Sequence, residues 1–164
     1  MTATLRQFNR FKSLRRAIIG ALDKIPPDMI ETIPDRLRNN IHWQAGHIVT
    51  VQMSLSYRRS GLPMPVSDEW LSSFGKGTSP ADWETLEPGL TIPSYRKTRK
   101  LLDDSIDQMS DDMERLLKTK YPEPVTVTSG LVITSFAEAL EFLPVHEALH
   151  LGSIRTMHRL LENF

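Results

Sequence analysis

Apolar residues recur along this chain at three- and four-residue intervals in four separate stretches, the spacing that lines one face of an α-helix. The first helix is predicted over residues 4–23, with Leu5, Phe8, Phe11, Ile18 and Leu22 as its stripe. Pro26 and Pro27 stop it, because proline lacks the N–H donor and clashes with the preceding turn. A second helix begins after Asn39 and Asn40, both good N-cap residues, and passes through Trp43, His47, Val51, Ser54 and Leu55 to residue 59, where Gly61 and Pro63 end it. The third starts near residues 91–94 and repeats Leu101, Leu102, Ser105, Met109, Met113, Leu116 and Leu117. The fourth opens with Ser135 and Glu138 in capping-box spacing and follows Phe136, Leu140, Leu143, Glu147, His150, Ile154, Met157 and Leu161. Two positions of that last seam, Glu147 and His150, are polar. Pro144, one turn inside, is expected to kink the helix just before His146 or to leave the backbone carbonyl of Leu140 free.

The connections add less. About thirty residues, 60–90, separate the second and third helices and are rich in Pro and Gly. A link that long in a compact domain reads as a wall or lid of a functional site, with a short helix over residues 68–74 and with Trp70, Phe74 and Trp83 packing down. Between residues 118 and 134 the alternation Val125-Thr126-Val127-Thr128 looks extended but is too little for a sheet. Asp103, Asp104, Asp107, Asp111 and Glu114 on the outer face of the third helix read as a solvated surface. The expected class is all-α, a four-helix bundle in one domain over residues 1–164, with a long crossover between its second and third helices.

Composition narrows the partners. Twenty basic residues balance twenty acidic ones, so no overall field attracts nucleic acid or an anionic membrane. No apolar run approaches the ~20 residues that cross a bilayer. The basic, acid-free start, residues 1–16, is followed by an apolar run too short for a signal peptide. Cysteine is absent, which removes disulfides and thiolate sites and leaves histidine and carboxylate as metal ligands. A soluble, cytoplasmic protein is expected.

The histidines carry the candidate chemistry. His146 and His150 stand about 40° apart and one turn along the same side of the fourth helix, so two imidazoles can reach one ion. His47, on the apolar side of the second helix, is placed to supply a third from a facing helix. Three neutral imidazoles leave a coordination position open, as in catalytic rather than closed structural zinc sites. An isolated histidine on an apolar face is more often a hydrogen-bonded core residue. Two rings and a carboxylate in one seam, however, would each need a buried partner or incur a desolvation penalty of about 1–3 kcal/mol, and a shared ion satisfies them together. His42 points about 140° from His47 and reads as surface or capping. His158 suits the dipole at the helix end.

Residues 146–150 also spell H-E-A-L-H, formally the zincin pattern H-E-x-x-H in which the glutamate is a general base. Ser153 and Thr156 stand where a metzincin has Gly and His. Only Glu162 remains as a downstream acid, and no sheet is predicted to hold a peptide, so a protease is disfavoured. Glu147 is retained as a base or an orienting group beside the ligands. Arg58 and Arg59 read as plain surface charge in preference to a pair that steers an anion.

The stretches N-N-I-H-W-Q-A-G-H-I (39–48), S-G-L-P-M-P (60–65) and H-E-A-L-H-L-G (146–152) resemble the DinB-like superfamily of small bacterial bundles. That resemblance implies an up-down-down-up bundle, often a homodimer, with a metal triad on His47, His146 and His150. It also implies either a metal-dependent hydrolase or an S-transferase that uses a low-molecular-weight thiol such as bacillithiol or mycothiol. The expected function is therefore a zinc- or nickel-dependent enzyme acting on a small-molecule substrate. The alternative is a non-catalytic, metal-stabilised bundle acting as a binding or stress-response protein.

Overall fold

The computed structural model describes residues 3–85 and 91–162, and the last five residues of the predicted 60–90 crossover lie outside them. The chain is mostly helical with one small sheet. Its elements are α1 (Ala3–Leu22), α2 (Pro27–Ile30), α3 (Ile41–Met53), α4 (Asp68–Phe74), α5 (Tyr95–Asp111), α6 (Met113–Leu117), β1 (Lys120–Thr126), β2 (Val132–Ser135) and α7 (Phe136–Glu162). The long helices pack in a closed cycle, α1 on α7, α7 on α3, α3 on α5 and α5 on α1.

Local chemistry sets the ends. Asn40 caps α3 by accepting the Trp43 N–H at 2.8 Å. Ser135 accepts the Glu138 N–H at 3.4 Å. The Glu138 carboxylate returns to the Thr134 N–H at 2.7 Å, one residue earlier than in the usual capping box. The predicted stripe of α1 is buried except at its start, where Leu5 is exposed. In α7 the predicted seam is buried at Phe136, Leu140, Leu143, Glu147, Ile154 and Met157 and half-buried at His150 and Leu161, and the helix continues unbroken through Pro144. Past Met53 the chain keeps winding but widens: the Arg59 N–H bonds the Ser54 carbonyl five residues back at 2.9 Å, a π-helical turn over Ser54–Arg58.

Two expectations are corrected. The 118–134 link does form a sheet: β1 and β2 pair antiparallel, with Val125 opposite Ile133 and Thr126 opposite Val132. The turn spans residues 128–130, closed by the Gly130 N–H donating to the Val127 carbonyl at 2.9 Å, with Val127 before it and Val132 and Ile133 beyond it, and Gly130 takes the positive φ of 82° that the turn needs. The register slips nearer Lys120, where Pro122 and Pro124 have no N–H to donate. The Tyr121 hydroxyl donates to the Leu55 carbonyl, pinning the hairpin to the π-helical turn.

His42 is the second correction. Its side chain is 1% exposed, in the core rather than at the surface. α3 is buried nearly all round, so a ring turned away from His47 meets protein, not water. Phe74, Trp83 and Tyr95 surround it at centroid distances of 5.2, 5.5 and 5.6 Å. Its Nε2 lies 3.0 Å from the Thr98 hydroxyl. Its Nδ1 sits 3.3 Å from a Glu31 carboxylate oxygen but outside hydrogen-bonding geometry.

Burial pushes the His42 imidazole down from the ordinary 6.5 to about 4. The unfolded chain therefore takes up a proton that the folded chain refuses, and the His42 contribution to stability falls as pH drops from 6.5 towards 4, then levels off. A His42→Gln protein is expected to lack about 3 kcal/mol of that acid-induced loss, read from urea unfolding at pH 7, 5 and 4.

Candidate metal centre

The three predicted histidines meet. One ring nitrogen from each of His47, His146 and His150 lies within 4.8 Å of the others. Centroids are 5.5 Å apart for His47 and His146, 5.2 Å for His47 and His150, and 4.4 Å for His146 and His150. Among the described residues no fourth histidine or carboxylate joins them. His42 is in the core against the Phe74 ring, and His158 pairs with Glu162 at 3.6 Å near the end of α7.

Each ring is held by chemistry traceable to its neighbours in sequence. Trp43, one turn before His47 on α3, stacks on it at 4.6 Å and 13°. The His47 Nδ1–H donates to the Phe74 carbonyl at 2.8 Å. Phe74 reaches that point because α4 presses onto α3 at Gly46, where any Cβ would sit 2.3 Å from the Phe74 ring. The crossover is tied down by indole N–H groups: Trp70 donates to Thr50 at 3.0 Å, Trp43 to Thr78 at 2.9 Å and Trp83 to the Ser73 carbonyl at 3.1 Å. That is the packing its tryptophans predicted.

His150 donates its Nδ1–H to the Gln44 side-chain oxygen at 2.5 Å. Gln44 was not a candidate from sequence. Its spacing three residues before His47, on the same helix, was the available signal. With Nδ1 protonated on both His47 and His150, their Nε2 atoms are left as lone-pair donors, the tautomer that metal ligation needs.

The Nε2 atoms of His146 and His150 are 3.2 Å apart. Two ligands at 2.0–2.1 Å on a tetrahedral ion are separated by about 3.3–3.4 Å, so the pair already has the spacing of a shared coordination edge. Among the described residues the buried Nδ1 of His146 has no hydrogen-bond partner, unlike that of the other two rings. Burial pushes all three imidazoles down, His146 to about 2 with the neighbouring rings and Arg15 adding to the effect, and His150 to about 3. The rings are thus neutral at pH 7. Residues and geometry fit a divalent ion.

Glu147 faces the other way. Its carboxylate is fully buried and engaged at both oxygens by Arg15, Nε to Oε2 at 2.9 Å and an Nη to Oε1 at 2.6 Å. Burial raises the Glu147 carboxyl against the opposing pull of that guanidinium. The remaining Arg15 donors reach the Leu102 carbonyl and Ser105 hydroxyl, both at 3.0 Å, and Gln52 at 2.8 Å. Removing one partner of such a pair strands the other charge, so Glu147→Gln is expected to lose about 3–5 kcal/mol in chemical denaturation.

Above the rings opens a cleft of about 510 Å³, walled by α3 and its π-helical turn, α7, and the end of the hairpin. The three histidines form part of its lining. No helix is long and apolar enough to cross a membrane among the described residues.

A search of curated proteins returns no match to the chain. A family model described as the DinB superfamily matches residues 10–154, a span that contains all three histidines, Gln44 and the Arg15–Glu147 pair. The chain belongs to the DinB superfamily.

Proposed function

We propose that this protein is a metal-dependent enzyme that holds a divalent ion on His47, His146 and His150 and acts on a small-molecule substrate. The observation that carries the reading is the convergence of three neutral imidazoles from α3 and α7 at an open cleft, two of them with Nδ1–H already committed to Phe74 and Gln44. When bound there, the ion would lower the pKa of a water, for hydrolysis, or of a low-molecular-weight thiol, for S-transfer. Zinc and nickel are the leading ions for such a donor set, although copper and iron also accept imidazole.

The chain's own residues bind and orient. His47 and His150 present Nε2 because outer carbonyl and amide oxygens hold their Nδ1–H. The bidentate engagement of Glu147 by Arg15 supports a positioning role, seating α7 between the two ligands, over that of a proton carrier. The absence of a fourth ligand among the described residues favours catalysis over a closed, purely structural ion.

The same reading takes α1, α3, α5 and α7 as an up-down-down-up four-helix bundle in a single domain, supported by their cyclic packing. It places the protein in the cytoplasm, in keeping with its lack of cysteine. Exposed Val145 and Leu149 beside the cleft support a homodimer.

Elemental analysis of protein purified without an affinity tag is expected to give close to one ion per chain for the wild type and a large loss for His150→Ala. Equal, negligible content in both would remove the mechanism. Assaying the loaded protein on electrophile panels with and without small thiols separates transfer from hydrolysis. A rate that rises with thiol marks transfer, and one indifferent to it marks hydrolysis.

A further inference from the structure

The cleft above the three rings carries formal charge of one sign. Its walls are apolar, with Val51 and Leu55 on one side, Phe142 and Leu149 on the other, and Val125 and Val127 from the hairpin. Among the described residues its charged lining is Arg59 and Lys76, and no aspartate or glutamate lines it. Both cations are exposed. In a chain whose basic and acidic residues balance at twenty each, two cations without an acid are a local asymmetry.

The fold selects these two residues. In an α-helix the residue stacked over Ser54 would be Arg58, four positions on. The π-helical turn instead bonds Arg59 back to Ser54, and it is Arg59, not Arg58, that lines the cleft. Tyr121, which lies close enough to interact with Arg59, donates its hydroxyl proton to the Leu55 carbonyl. It therefore brings no negative charge to offset the guanidinium. Lys76 comes from the turn just after α4, the same segment whose Phe74 carbonyl holds His47. Each cation is thus tied through a short stretch of backbone to the element that positions a ring.

We propose that the cleft binds a small organic anion with an apolar body, its anionic group held at the rim by Arg59 and Lys76 and its body lying along the apolar walls above the three histidines. This deepens the metal-enzyme reading by naming the substrate class and rests on it for what the rings do, but the binding step does not require an ion. Two exposed cations act through a screened field, so the expected selectivity is modest, about five- to tenfold.

The test uses the full chain and three probes that share one apolar body and differ in charge: octanoate, 1-octanol and octylammonium. Dissociation constants come from isothermal titration calorimetry at low salt and again at about 0.2 M salt, with metal content measured in every sample. Octanoate is expected to bind five- to tenfold tighter than octanol, and octylammonium weaker than both, with the octanoate advantage shrinking in salt. The Arg59→Gln/Lys76→Gln double variant should bring octanoate to the level of octanol while leaving octanol unchanged.

A carboxylate can also ligate an ion directly, so the series is repeated on metal-free His150→Ala, where the preference is expected to persist. Equal binding of octanoate and octanol, no measurable octanoate binding, a preference that survives the double substitution, or one that vanishes without metal would each overturn the proposal. Negligible metal in the wild type would instead count against the enzyme reading and leave the octanoate comparison decisive for this one.

Discussion

A single guanidinium joins the four long helices at one level. Arg15 is fully buried on α1 and has five N–H donors, each with an acceptor: two bonds to Glu147 on α7, two to Leu102 and Ser105 on α5, and one to Gln52 on α3. Desolvating such a group costs several kcal/mol, and only complete, charge-assisted pairing offsets it. Gln52 also donates to the Ser105 carbonyl at 2.9 Å, and the Ser105 hydroxyl donates back to Gln52 at 3.0 Å, so the acceptors are themselves held. An apolar core would tolerate small rotations of each helix. This layer does not, because turning any one of them breaks directional bonds.

That restraint reaches the histidines through helix geometry. With Glu147 drawn to Arg15, the residues one before and three after it are rotated by about 100° and 60° to the same side. His146 and His150 are therefore both delivered towards α3. α3 then carries two polar layers, Gln52 in the closed one and Gln44 with His47 in the open one, while burying almost everything else. The close seat of Phe74 on Gly46 completes the second layer from outside, since it brings the backbone carbonyl that fixes His47. The two layers differ in solvent access: the lower is dry and saturated, while the upper borders a cleft.

Much of this was legible in the sequence. Helical spacing located the long helices and the pair His146 and His150, because each rests on local periodicity, and a short helix at residues 68–74 was expected inside the crossover where α4 lies. Convergence with His47 is a long-range property, and spacing could only make it permissible. Arg15 was missed although the stripe of α1 steps from Phe11 to Ile18 and leaves a seam position at 15, just as Glu147 fills one in α7. Two seam positions of opposite charge are a readable signal for a buried pair. His42 was misread because a helix wheel assigns the side away from one neighbour to solvent, and α3 has neighbours on nearly every side. The hairpin was discounted on its first arm alone, when its stability comes from pairing with Val132 and Ile133 and from the Tyr121 anchor.

Burial bears on the three rings in a way that separates protons from metal ions. A proton on any one ring puts a cation in a poorly solvated place beside two other imidazoles, which pushes His146 and His150 far below the ordinary histidine range. In the proposed reading, His47, His146 and His150 would hold a divalent ion through their lone pairs together, and the ion would supply Lewis-acid chemistry beside the cleft. Metal affinity is ordinarily eroded by protonation of the ligands. Here the same desolvation that disfavours protonation of each imidazole leaves it available as a donor. The outer bonds to Phe74 and Gln44 fix which nitrogen is offered, the arrangement that the proposed divalent-ion site requires.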